Sequence, residues 1–136
     1  MATTVFNPAA LFQAGFGFIR TGVLKAAVDL ELFTHIARGK CTAEAIARAA
    51  YADERAIRIL LDALAAQGML TKEDGLYALP PPVALLLLKD SPMYAGAFAR
   101  IMAAPQLWSA VGQLSEIVRT GHPPQSMVIV QARRPE

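Results

Sequence analysis

The chain is short of the residues from which most metal, redox and nucleophilic sites are built. Its one cysteine, Cys41, cannot close an internal disulfide, which fits a reducing cytoplasm, and its two histidines, His35 and His122, are distant in sequence. No metal-ligand spacing follows from three such isolated residues, and the metal expectation is none. Charge is scarce as well: Asp, Glu, Lys and Arg make up 18% of the 136 residues. The net charge of +2 equals what Arg133 and Arg134 alone supply, so the body is near neutral and no polyanion is the expected partner. A glycine-rich phosphate turn is missing. The one G-x-G, Gly15-Phe16-Gly17, follows no strand and has Arg20 where a third glycine would stand, so it reads as helix packing. No segment reads as a membrane span or a leader. The uncharged stretch 1–19 is interrupted by Asn7-Pro8 and lacks a basic start and a cleavage site, and Pro80-Pro81-Pro82 cuts the apolar run 76–88.

Apolar residues are abundant instead. They make up 54% of the chain, with a mean hydropathy of +0.36, high for a monomer of this length. With no membrane segment to absorb it, the excess implies a surface covered by a partner.

Periodicity places that surface on helices. Asn7-Pro8 is an N-cap followed by proline at the first helical position, and Leu11, Phe12, Phe16, Ile19 and Val23 recur beyond it at helical spacing. A second helix is expected from about Val23 to Leu32, with Gly15 and Gly22 allowing a kink or the close approach of another helix. Thr42 caps a short helix through Ala47, and Asp53 caps a longer one to Leu64, with Ile57, Leu60, Leu61 and Leu64 on one face. Gly68 ends it, and Asp74-Gly75 turns a hairpin between Thr71 and Leu79. The order helix, turn, helix, hairpin is that of a winged helix-turn-helix, so the expected class is mainly α, with a small β-hairpin wing and extra helices at both ends. Ser91-Pro92 is expected to start a helix carrying Phe98, Ile101 and Met102 that Pro105 stops. Leu107, Trp108, Val111, Leu114 and Val118 form the next stripe, ending at Gly121. Residues 1–121 form one unit. Residues 122–136 form a tail whose segment 126–132 reads as a buried strand.

Several ordered blocks resemble a known family. Ala26-Ala27-Val28-Asp29-Leu30-Glu31-Leu32-Phe33, Thr42 to Ala47, Arg58 to Leu64, Gly68-Met69-Leu70 with Tyr77-Ala78-Leu79, and Val118-Arg119-Thr120-Gly121-His122-Pro123 are similar to the N-terminal dimerisation lobe of S-adenosylmethionine-dependent O-methyltransferases. The resemblance implies a homodimer of interleaved helices, or a heterodimer with a full-length methyltransferase. It also implies that the late helices line a substrate pocket. On that basis Leu11, Phe12, Phe16, Ile19 and Val23 are the candidate dimer face. Phe98, Ile101, Met102 and Trp108 are the candidate pocket wall, with ordinary core packing as the alternative for each. The methyl donor and the catalytic base belong, in that family, to a Rossmann-like lobe whose glycine turn has no counterpart here. No catalytic or cofactor-binding residue is therefore expected, S-adenosylmethionine enters only if such a lobe is supplied elsewhere, and independent enzymatic activity is left open. The tail resembles the last sheet strand of a complete methyltransferase, or is an apolar run of no such origin.

Two further readings compete with a dimerisation module. A winged-helix DNA-binding regulator would present Arg48, Arg55, Arg58 and Lys72, but Glu54, Asp62, Glu73 and Asp74 share that face and cancel them. A carrier of an apolar small molecule would use the C-terminal helix pair alone.

Overall fold

The computed structural model describes Val5 and residues 7–123; the expected strand at 126–132 lies outside the described residues. The chain enters its first helix, α1 (Pro8–Asp29), as the Asn7-Pro8 signal requires: the Asn7 side chain accepts the Ala9 N–H at 3.0 Å. Two helices were expected over this stretch, and one of 22 residues is found. Interior glycines cost roughly 1 kcal/mol each relative to alanine but do not by themselves break a helix. The break falls later, at Glu31, which adopts φ 54° and turns the chain into α2 (Leu32–Ala37). That turn buries Leu32, Phe33 and Ile36. An ion pair from Lys89 to the Glu31 carboxylate holds it from outside.

The winged helix follows. Thr42 Oγ1 accepts the Ala45 N–H at the start of α3 (Ala43–Ala50), and Asp53 accepts the Ala56 N–H at the start of α4 (Glu54–Ala66), both as read from the sequence. The C-terminal ends use one device with different residues. After α4, Gly68 (φ 75°) lets its own N–H reach Ala65 O and the Met69 N–H reach Leu64 O, satisfying two orphan carbonyls. After α3 the same left-handed position is taken by Tyr51 (φ 53°), with the Ala52 N–H reaching Ala47 O. Tyr51 is 98% exposed, so its ring gains nothing from packing that would offset the strained backbone. Tyr51→Gly is expected to raise stability by about 1 kcal/mol, read as an upward shift of the denaturant midpoint at unchanged slope.

The wing consists of β1 (Thr71–Glu73) and β2 (Leu76–Ala78), antiparallel, with Lys72 opposite Tyr77. Asp74 and Gly75 both have positive φ, 49° and 78°, the requirement of the two-residue turn that Asp-Gly signals. Tyr77 fastens the wing to the helices. Its ring is buried, its N–H donates to Cys41 O at 2.7 Å, and its hydroxyl donates to Asp62 on α4 at 2.6 Å. Lys72 donates to the same carboxylate at 2.7 Å. The Lys72 bond, then the Tyr77 hydroxyl, hold the Asp62 carboxyl below its usual range. A lowered folded-state value means stabilisation that is present above the unfolded value, about pH 4, and lost as pH falls through the folded one. Asp62→Asn is therefore expected to flatten the acid limb of the stability–pH profile below about pH 4. The same carboxylate raises Lys72 and, after burial, Tyr77, so the substitution should also remove stabilisation that is otherwise lost only as pH rises through their folded values.

Beyond the wing come α5 (Pro81–Leu87), α6 (Gly96–Met102), α7 (Pro105–Gly112) and α8 (Leu114–Thr120). Three expectations need correction here. Ser91-Pro92 starts no helix: the Ser91 hydroxyl donates to Leu85 O and accepts the Met93 N–H, which makes a turn, and α6 begins at Gly96. Met93 thus lies outside the helix of which it was expected to be part. Pro105 opens α7 at its first position, and the expected single helix to Gly121 is divided at Gln113 into α7 and α8. The core lies where α1, α2, α3, α4 and the wing meet, around Ala27, Leu32, Phe33, Ile46, Leu61 and Leu64. Asp29 at the end of α1 ties in α6: it accepts from Lys25 at 2.5 Å and from Arg100 at 3.1 Å, and these cations hold its carboxyl below the usual range. No helix of the described residues is long and apolar enough to cross a membrane.

Candidate functional site

Two surfaces stand apart from the core. The first is the leading half of α1. Leu11, Phe12, Phe16 and Ile19 are 63, 62, 58 and 47% exposed, along a stretch without a single charge. Large apolar side chains that open to water in a continuous row are unusual on a chain that is otherwise neutral and well capped. Val23, read with them, differs: it packs against the core. The helix therefore changes role along its length, from exposed residues before Arg20 to buried Ala27 and Val28.

The second surface is an open cavity of about 920 Å³ bordered by four elements. The trailing half of α1 contributes Phe18, Arg20, Thr21 and Leu24, and the end of α4 contributes Ala66 and Gln67, with Met69 just beyond it. Phe98, Ala99 and Met102 come from α6, and Leu107, Trp108, Val111 and Gly112 from α7. Three of the four residues expected as a pocket wall, Phe98, Met102 and Trp108, meet in it, whereas Ile101 is not among its lining residues. The Trp108 indole is fixed on both sides. Its Nε1–H donates to Met102 O at 2.7 Å, and its ring meets Phe18 edge to face at a centroid distance of 6.2 Å. Gly22 is where the two helices come close: a Cβ there would stand 3.7 Å from Trp108 Cη2. Phe18, Leu24 and Val111 were not read as pocket residues. Phe18 falls between the positions of the stripe 11, 12, 16, 19, 23, and only the packing of α7 on α1 makes it a wall.

The face that a DNA-binding reading needs is neutralised in pairs. Arg48 joins Glu44, Arg58 joins Glu54 and Lys72 joins Asp62, which leaves Arg55 alone among the four cations without an ion pair to a described residue. Among the described residues no cluster of three or more His, Cys, Asp or Glu could hold a metal ion.

A near-neutral winged helix, with a protruding apolar helix half and an aromatic cavity beside it, is the architecture of an association lobe. Comparison with known proteins gives it a family. A family model of the O-methyltransferase dimerisation domain matches residues 12–90, and the chain belongs to that family. It is 32% identical over 120 residues, 88% of its length, to the tetracenomycin polyketide synthesis 8-O-methyl transferase TcmO of Streptomyces glaucescens. It is 31% identical over 137 residues, 95% of its length, to the 3-hydroxy-5-methyl-1-naphthoate 3-O-methyltransferase of Streptomyces sahachiroi. The solved structure of PigF with SAH superposes at a TM-score of 0.83 with 29% identity, covering 95% of this chain and 38% of PigF. The chain spans 35 and 39% of the length of the two Streptomyces relatives. It is a dimerisation domain of the O-methyltransferase family, with the mainly helical, winged-helix fold expected of one.

Proposed function

We propose that the chain associates through the leading half of α1, with a second copy of itself or with a full-length methyltransferase of its family, and that its cavity forms one wall of a pocket for an apolar aromatic acceptor. The observation that carries the first part is the exposed row Leu11, Phe12, Phe16 and Ile19 on an uncharged helix half. Removing one such side chain from water is worth about 1.5–3 kcal/mol, and in a twofold pair every contribution counts twice. The second part rests on the convergence of Phe98, Met102 and Trp108, with Phe18, around one cavity. The names of the relatives, a tetracenomycin polyketide and a hydroxynaphthoate, point to the same acceptor class: a fused ring system carrying a hydroxyl.

In this reading the chain is catalytically incomplete alone and works in the cytoplasm as two units, the lobe to residue 121 and a tail from 122. S-adenosylmethionine is held by a Rossmann-like lobe supplied elsewhere, and methyl transfer takes place between the two lobes. Sedimentation velocity of the full chain across the micromolar range tests self-association, with a dimer as the expected species. A monomer throughout would overturn self-pairing and leave only a full-length methyltransferase as partner, which co-sedimentation with one would then test.

A further inference from the structure

The polar groups around the cavity are unevenly committed, and the imbalance has a chemical meaning. The Thr21 hydroxyl donates to Gly17 O at 3.3 Å, and the Trp108 Nε1–H is taken by Met102 O. Neither has a donor left for a ligand. Among the described lining residues Arg20 is the one charged side chain, and it makes no ion pair with a described carboxylate. Several other helical cations pair with a carboxylate one turn away, as Lys25 with Asp29, Arg48 with Glu44 and Arg58 with Glu54, although Arg55, like Arg20, does not. One turn from Arg20 stand Phe16, Gly17, Val23 and Leu24, none of which can accept a hydrogen bond from it through a side chain. A guanidinium with five donors thus borders an apolar, aromatic-lined space, with no described carboxylate paired to it.

We infer that this cavity takes an aromatic anion, a ring system bearing a carboxylate, with Arg20 as its counter-ion. The inference rests on the reading of the cavity as an acceptor wall and adds the charge of what it accepts. Rings fill the space between Phe98, Met102 and Trp108, while the carboxylate stays at the Arg20 edge. There a planar fork of N–H donors matches its two oxygens. A neutral ring system of the same shape would keep the apolar contacts and lose the ion pair.

Calorimetric titration of the full chain with 2-naphthoate and with 2-naphthamide separates the two contributions. Naphthoate is expected to bind about fivefold more tightly at low ionic strength, a preference that shrinks as salt is added. Arg20→Gln should bring naphthoate to the affinity of the amide, whereas Phe98→Ala should weaken both alike. Equal affinities in the unaltered chain, or a naphthoate preference that survives Arg20→Gln, would overturn the counter-ion role and leave the cavity reading standing. Binding of neither compound would remove the cavity reading and this inference together.

Discussion

A chain carrying Phe12→Glu and Phe16→Glu is expected to sediment as a monomer under conditions where the unaltered chain is a dimer. Each substitution removes a contact worth about 1.5–3 kcal/mol and places a carboxylate where it would be buried without a partner. In a symmetric pair both effects occur in each protomer. The association constant should therefore fall by at least about a thousandfold, which is roughly 4 kcal/mol. Because Phe12 and Phe16 are 62 and 58% exposed and neither belongs to the core cluster, the unfolding transition of the separated protomer should survive. Retention of the dimer by a folded variant would move the association surface away from α1. Loss of both dimer and fold would mean that the protomer has no stability of its own, which is the behaviour of an obligate pair.

The largest loss of stability is expected at Phe33. It is 2% exposed at the point where α2 turns back onto the core, beside Leu32 and Ile36. Phe33→Ala removes a whole ring from a site walled by several elements, and such changes cost about 3–5 kcal/mol. That is a large part of the 5–15 kcal/mol available to a typical domain, and it corresponds to a fall in Tm of about 10–20 °C. Calorimetry or circular dichroism would read it. A shift as small as that of an exposed substitution would mean that the α1–α2 corner is not part of the core. The two variants fail in opposite ways, one losing association with the fold intact and the other losing the fold, so they separate the two roles of the N-terminal region.

What could be read in advance from the residues, and what could not, divides by the range of the interaction responsible. Asn7, Thr42 and Asp53 act within three residues of themselves, and each caps the helix it was expected to cap. Asp74-Gly75 sets the wing by its own backbone preference. Glu31 carries no such signal. Its left-handed backbone is sustained by burial of Leu32 and Phe33 and by Lys89, which is 58 positions away in sequence. Ser91-Pro92 has the composition of a helix start, but its hydroxyl is diverted to the carbonyl of Leu85 and the signal is overridden. The cavity follows the same division. Phe98, Met102 and Trp108 were visible as apolar positions on their own helices, while Phe18 and Arg20 became wall residues only when α7 came to rest on α1.

One consequence concerns leverage. At about 1.5 Å per residue, α1 is roughly 33 Å long, yet its buried residues, Ala27 and Val28, lie in its last turn. The helix is a cantilever, held over its inner half by Phe18 on Trp108, by Val23 and Leu24 against the core and by Asp29 with Lys25 and Arg100, while Leu11, Phe12 and Phe16 stand open to water at its outer half. A tilt of only a few degrees at the clamp would sweep the tip by more than about 1 Å, the length set by the same rise per residue. If the tip is the association surface proposed above, a small rearrangement at residues 18–24, which border the Trp108 cavity, would reach that surface along one continuous helix.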